Sequence, residues 1–372
     1  HEQQIAQAIK DRSGCIPYMA LLLIRAFQAK GTLELENPDF VLSAILKGNN
    51  TLSEQTMDAL RAISLFDPLG KDNGVGDEYE YVTHSYMIHH IKQQQSVVDT
   101  EFMDVVRDYE NRQLLEHEGS CIRVRPRPLA EWLTESWLDK HGNLAEVIED
   151  IYKQGDELKR RLFRALNNRI KQMTNSKFAP QIFNALNNPQ NGSFHDERIA
   201  FSKAGSQLFL SMGVVSPVMV AKNLNCLLQS KSINWLREEL DSDARRNLVW
   251  ALENICRNEA AFEDAAKCLA RLAIAENEDF ANNATGQFVQ LFHLYLSGTK
   301  ANFKQRISLM QELRTDESYL PLILQAIDNA FNTGPFHKSN TCGIEDMDDD
   351  YTPKSQDIDF YWRDCSIILK GI

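Results

Sequence analysis

The sequence predicts a mainly α protein: a short helical segment, a winged helix with a small β-hairpin, then an α-solenoid of helical-hairpin repeats of the TPR or HEAT kind. Three observations predict it. Between Arg245 and Leu313 apolar residues return at helical spacing: Leu248, Ala251, Leu252 and Ile255, then, after a polar break at Asn258 and Glu259, Phe262, Ala265, Ala266 and Leu269. Two such stripes should bury each other, and helix pairs too thin for a core of their own mark a solenoid. From 143 to 240 the texture is the same, in segments of about 12–18 residues. Between 102 and 133 a helix is followed by two short alternating strands and another helix. The implied divisions are 1–50, 51–140 and 141–372.

Taken in order, residues 2–10 read as the end of a helix, broken at Ser13-Gly14. Pro17 opens the next helix, in the first turn where a missing N–H costs no hydrogen bond, and that helix stops at Gly31. Thr51 and Glu54 have capping-box spacing, with Met57, Leu60 and Ile63 on the inner side of the helix that follows. The stretch 67–78, DPLGKDNGVGDE, reads as a surface turn. It is no P-loop: Leu65 and Asp72 stand where G-x-x-x-x-G-K-[ST] requires glycine and a hydroxyl.

Phe102, Val105, Val106 and Tyr109 mark a helix, and strands 114–117 and 121–125 turn at Glu118-Gly119. On the second strand Arg123 and Arg125 alternate with Ile122 and Val124, and Arg127 continues the series, so a period of two sets three guanidinium groups on one face. Such a face suits phosphate or is simply solvated. Leu129, Trp132 and Leu133 open the next helix. Breaks are expected at Gly155, Asn175, Asn187 to Pro189, Gly213 and Pro217. Phe288, Leu291, Phe292 and Tyr295 predict a third stripe closed by Gly298, and Thr299 is expected to cap a fourth helix with Phe303, Ile307 and Met310 inside. Trp235 and Trp250 read as core anchors, and Phe360-Tyr361-Trp362 starts a last helix.

Composition bounds function. A chain of 372 residues with 43% hydrophobic content supplies ample core, and its net charge of −12 argues against a general nucleic-acid surface. The longest apolar run, Ile16 to Ile24, is far short of the roughly 20 residues that span a bilayer, so no membrane association is expected. The seven cysteines form no CxxC pair and sit mostly on apolar stripes, which fits a reducing cytoplasm. His84, His89 and His90 lack the i, i+4 spacing of a helical zinc site, and the acidic run 345–350 lacks the glycine and closing glutamate of a calcium loop. No nucleophile and base are paired in the pattern, so the chain is not expected to be an enzyme by itself. It begins at His1 and ends within an apolar run, as a piece of a longer protein would.

The stretch NLVWALENICRNEAAFEDAAKCLARLAIAENEDFANNATGQFVQLFHLYLSGTKANFKQRISLMQEL, with Trp250 to Glu253, Leu272 to Glu276, Asn282-Asn283, Phe292, Gly298-Thr299 and Arg306, resembles the helical-repeat region of large bacterial STAND ATPases, the signal-transducing P-loop family that includes Avs-like antiphage sensors. SGCIPYMALLLIRAF resembles the Gly-x-Pro segment of the helical domain after the STAND core, with Cys15 in place of the usual glycine. The resemblance implies that Pro17 faces the adenine of a nucleotide, while the face that carries Arg125 and Arg127 is a candidate contact for phosphate, either in nucleic acid or in the ADP that holds STAND proteins closed. The family's Met-His-Asp motif is replaced by Arg125-Pro126-Arg127-Pro128 and is not carried over. It also implies ATP or ADP and Mg²⁺ in a parent protein, no cofactor in this chain, a foreign protein as ligand of the repeats, and homo-oligomerisation on activation. The competing readings are a free-standing protein-binding scaffold and a DNA-binding regulator, the latter opposed by the acidity.

Overall fold

The computed structural model describes residues 6–7, 9–10, 17–30, 38–47, 52–72, 74, 76–83, 95–277, 283–334 and 350–372, with backbone alone at 25–30, 38–41, 44 and 95–101. Over these residues the protein is mainly helical, with 19 α-helices and one three-stranded sheet. His84, His89, His90 and all of the acidic run except Asp350 lie outside the described residues, as do Gly14 and Cys15. The chain divides into two units, His1–Phe178 and Ala179–Ile372.

In the first unit, α1 (Pro17–Lys30) and α2 (Pro38–Lys47) precede α3 (Glu54–Ser64). The cap of α3 is Ser53, whose Oγ accepts the Thr56 N–H at 3.1 Å, and Thr51 lies outside the described residues. Met57, Leu60 and Ile63 are buried as their spacing predicts. The expectation of a surface turn over 67–78 is corrected. Leu69–Gly70 is a buried strand, β1, and α4 (Gly76–Val82) carries the buried Glu78, whose Oε2 accepts the Gly70 N–H at 2.8 Å. After α5 (Gln95–Asn111) come β2 (Leu115–Glu118) and β3 (Cys121–Val124), and Gly119 takes φ +61 in the turn between them. The strand order is β1-β3-β2, both pairs antiparallel, with Leu69 opposite Ile122 and Leu115 opposite Val124.

Three more helices complete this unit: α6 (Arg127–His141), closed by Gly142 at φ +69, then α7 (Leu144–Tyr152) and α8 (Asp156–Gln172). The last two were expected beyond a boundary at 141. They belong here because α8 carries donors that the earlier elements need. Arg161 pairs with Asp77 at 2.6 Å and Glu78 at 2.9 Å, and the buried Arg169 donates to the Ser64 carbonyl at 2.7 Å.

The second unit opens with α9 (Ala179–Leu186), a single turn α10 (Glu197–Ala200), α11 (Lys203–Val215), α12 (Pro217–Gln229) and α13 (Ile233–Glu238). Gly213 breaks nothing. It lies inside α11, where a Cβ would come within 3.0 Å of Ile255, so its smallness lets α11 approach α14 (Ser242–Ile255). α15 (Phe262–Ile274) follows. The stripes of α14 and α15 are fully buried, yet not chiefly against each other: α14 lies mainly on α11, and α15 packs equally on α12 and on the helix that follows it. Asn247 fixes the register by donating to Ser206 Oγ at 3.0 Å.

α16 (Ala284–Gln290) ends well before the expected Gly298, and Tyr295 is exposed. The reason is Arg306 on α17 (Phe303–Leu313), whose guanidinium is fully buried and claims the His293 carbonyl at 2.7 Å, the Ala301 carbonyl at 3.0 Å and Ser297 Oγ at 2.9 Å. A helix continued through Ser297 would have spent the His293 carbonyl on its own ladder. The cap of α17 is Asn302, in a capping box with Gln305, rather than Thr299. α18 (Leu320–Phe331) and α19 (Ser355–Lys370) close the unit, with Trp362 Nε1 donating to the Ala330 carbonyl at 2.8 Å. Trp235 and Trp250 are half-buried under Lys231 and Arg246, so neither is a deep core anchor. No helix among the described residues is long and apolar enough to cross a membrane.

Candidate functional site

A cleft of about 640 Å³ in the first unit is lined by Tyr18, Glu110, Gln113, Leu115, Glu116, His117, Arg125, Pro126 and Arg127. Each element delivers its share for a local reason. Pro17 starts α1, which puts Tyr18 in the first turn, and the Tyr18 hydroxyl donates to the Gln113 carbonyl at 2.7 Å. Gln113 takes φ +60 as the chain leaves α5 for β2. The Arg125 N–H donates to the Leu114 carbonyl at 2.8 Å, extending the hairpin ladder one residue past β3, and Pro126 turns the chain into α6.

The charges of the cleft are matched in pairs. Arg125 Nε meets Glu116 Oε2 at 2.8 Å, Arg127 Nε meets Glu131 Oε1 at 2.6 Å, Lys71 meets Glu110 at 2.7 Å, and His117 Nε2 lies 3.2 Å from Asp72 Oδ2. Both arginine pairs are well exposed, and pairs of that kind contribute about 0–1 kcal/mol. Pairs this weakly held leave Arg125 and Arg127 open to exchange with another oxyanion.

The three arginines read as one face do not stay together. Arg125 and Arg127 line the cleft, whereas Arg123 turns to Glu118 and lies 3.7 Å from Asp67. Asp67 also faces the buried Arg169 at 3.8 Å, and desolvation pulls the Arg169 guanidinium down to about 10. Pro17 itself is exposed, and its neighbour Tyr18 does the lining. Sequence reasoning missed Tyr18 and His117. The signal for His117 was its place in a strand paired with the arginine-bearing one, opposite Ile122. Among the described residues no group of His, Cys, Asp and Glu is gathered in a way that could hold a metal ion. Arg125 and Arg127 are the guanidinium groups among the residues that line the cleft.

Comparison with protein-family models, curated proteins and solved structures returns no match.

Proposed function

We propose that this chain is the regulatory and ligand-sensing portion of a STAND-type ATPase. The first unit holds a winged helix, and the second is an α-solenoid that binds a protein trigger, phage-derived in the antiphage version of the reading. The observation that carries the proposal is the order helix, strand, helix, helix, hairpin over α3 to β3 with the first strand paired to the last, together with a cleft that gathers Tyr18, Arg125 and Arg127 from either side of that fold. Helix pairs that lie like on like, α11 on α14 and α12 on α15, support the solenoid.

In this reading ADP sits in the parent's nucleotide site with its phosphates against Arg125 and Arg127, and the P-loop and Mg²⁺ are supplied by a core outside this chain. The cleft suits such a ligand in size, since ligand pockets run to about 300–1,000 Å³. Trigger binding releases the closed state and permits homo-oligomerisation in the cytoplasm. The net charge of −12 disfavours a DNA-binding role.

The test is capture by the whole chain from phage-infected and uninfected lysates, identified by mass spectrometry. Specific retention of a phage-encoded protein, with no ATP turnover by the chain alone, is the expected result. Retention of host proteins only, or of nothing, counts against a sensor, and ATP turnover would sink the division of labour.

A further inference from the structure

The helix α19 turns Tyr361, Cys365 and Ile368 inward and keeps a broad outer face in water. At 3.6 residues per turn, Asp359, Arg363, Ser366 and Lys370 run down the middle of that face. Phe360 and Ile367, 55% and 56% exposed, stand two turns apart on one flank, and Trp362 and Leu369 do the same on the other. Trp362 is held to α18 through the Ala330 carbonyl, whereas Leu369 is exposed. Large apolar side chains gathered on one exposed face mark an interaction surface. Arg363 is already engaged, by Asp364 at 3.1 Å and by the Phe360 ring at 4.9 Å, so it brings no free charge. Asp359 and Lys370 differ: both are exposed, and neither has a hydrogen-bond or ion-pair partner among the described residues.

We infer that α19 is a self-association surface, on which a second copy of this chain lays its own α19 antiparallel. Charge complementarity selects that occupant. Asp359 and Lys370 lie about three turns apart, and a two-fold axis midway between them, at 364–365, sets each beside its opposite: Asp359 meets the partner's Lys370, and Lys370 meets the partner's Asp359. The same axis places Arg363 beside the partner's Ser366 rather than its own twin. It also brings the flank of Phe360 and Ile367 onto the same flank of the second copy, so the apolar side chains cover one another. The ion pairs fix direction and register, and the apolar flank supplies the buried area. Other occupants fit less well. Asp359 balances Lys370 and Asp364 balances Arg363, so this face has no surplus charge for a nucleic acid or for a strongly acidic or basic protein. A second copy, itself at −12, is repelled by most of the surface and meets neutrality here. One helix pair is a small interface, so the dimer is weak, with a Kd on the order of 10–100 μM. The inference goes beyond the sensor reading and does not rest on it.

The experiment is sedimentation equilibrium of the whole chain from about 1 to 300 μM. Monomer at the low end and dimer at the high end are expected. Ile367→Asp, at an exposed side chain, keeps the circular dichroism of the wild type and removes the dimer. Asp359→Lys sets lysine against lysine and weakens the dimer about tenfold, Lys370→Asp does the same with carboxylates, and the double variant Asp359→Lys/Lys370→Asp restores it. Val214→Asp, at an exposed apolar position of α11, leaves the dimer unchanged. A chain that stays monomeric across the range, a dimer that survives Ile367→Asp, or a double variant as weak as the single ones overturns the inference. A phage protein captured by a chain that stays monomeric sinks this surface alone. A dimer that behaves as expected, with no trigger ever captured, supports the surface and counts against the sensor alone.

Discussion

Arg306 is a cation with no exposure to water, and its three hydrogen bonds to the His293 and Ala301 carbonyls and Ser297 Oγ replace the solvent it gave up. Burial pushes its pKa down from the usual guanidinium value, and the Tyr361, Asp350 and Tyr351 groups push it back up. Its ring neighbour Phe303 is 5.2 Å away and is stacked on Tyr361 at 4.0 Å. Methionine fills similar volume but donates nothing, so Arg306→Met leaves two carbonyls buried without donors. We expect a loss of about 3 kcal/mol or more, read as a lowered urea midpoint at unchanged slope. An unmoved midpoint would mean that the 291–302 segment holds its conformation without the guanidinium. Other donors work in the same way across the second unit: Arg271 donates to the Leu228 carbonyl at 2.8 Å and Arg237 to the Ile274 carbonyl at 3.0 Å, each at the end of a helix.

Elements were legible where their cause was local. The stripes of α14 and α15 and the alternation of β3 are written in neighbouring residues; α14 ends at Ile255 and α15 begins at Phe262 where the spacing puts them, while α14 starts earlier, at Ser242, and α15 runs on to Ile274. β1 was not legible because two residues show no alternation, and only pairing with β3, some fifty residues on, makes Leu69–Gly70 a strand. The end of α16 was hidden for the same reason, since Arg306 decides it from the next helix. At the candidate site, period two pointed to Arg125 and Arg127, but nothing in the sequence joins Tyr18 to them. Arg125 and Arg127 permit a clean test at this scale. Their pairs with Glu116 and Glu131 are exposed, so Arg125→Ala/Arg127→Ala should cost less than about 1 kcal/mol and leave the fold intact. Millimolar ADP should then raise the unfolding temperature of the wild-type chain and leave that of the double variant unmoved. An equal rise in both would remove these two arginines from the phosphate site.

At the scale of the whole molecule, the question is where an independently folding piece ends. Local composition places a boundary near 140, at the close of α6, whereas the packing places α7 and α8 with the first unit, to Phe178. The decisive contacts are buried polar ones. Glu78, whose carboxyl burial pushes up, is held by the Gly70 N–H and by Arg161 Nε at 2.9 Å. Asp67 receives Gln172 Nε2 at 2.7 Å, its carbonyl receives Asn168 Nδ2 at 2.9 Å, and its own N–H donates to the Ala165 carbonyl at 3.0 Å. Tyr81 reaches Asp150 on α7 at 3.0 Å. A fragment of 1–140 keeps the Gly70 N–H but loses every partner that α7 and α8 supply, and it exposes the apolar surface that the buried Ile148, Ile151, Leu162 and Leu166 cover. Removing the partner of a buried charge alone costs about 3–5 kcal/mol, a large share of the 5–15 kcal/mol that holds a domain together. The fragment 1–178 should therefore unfold in one cooperative urea transition followed by circular dichroism, while 1–140 shows a much lower midpoint or a sloping loss of helix with no transition. Equal midpoints would return the boundary to 140 and make α7 and α8 an appendage, and the ion pairs of Arg161 and Arg169 would then be consequences of packing with no hold on the sheet.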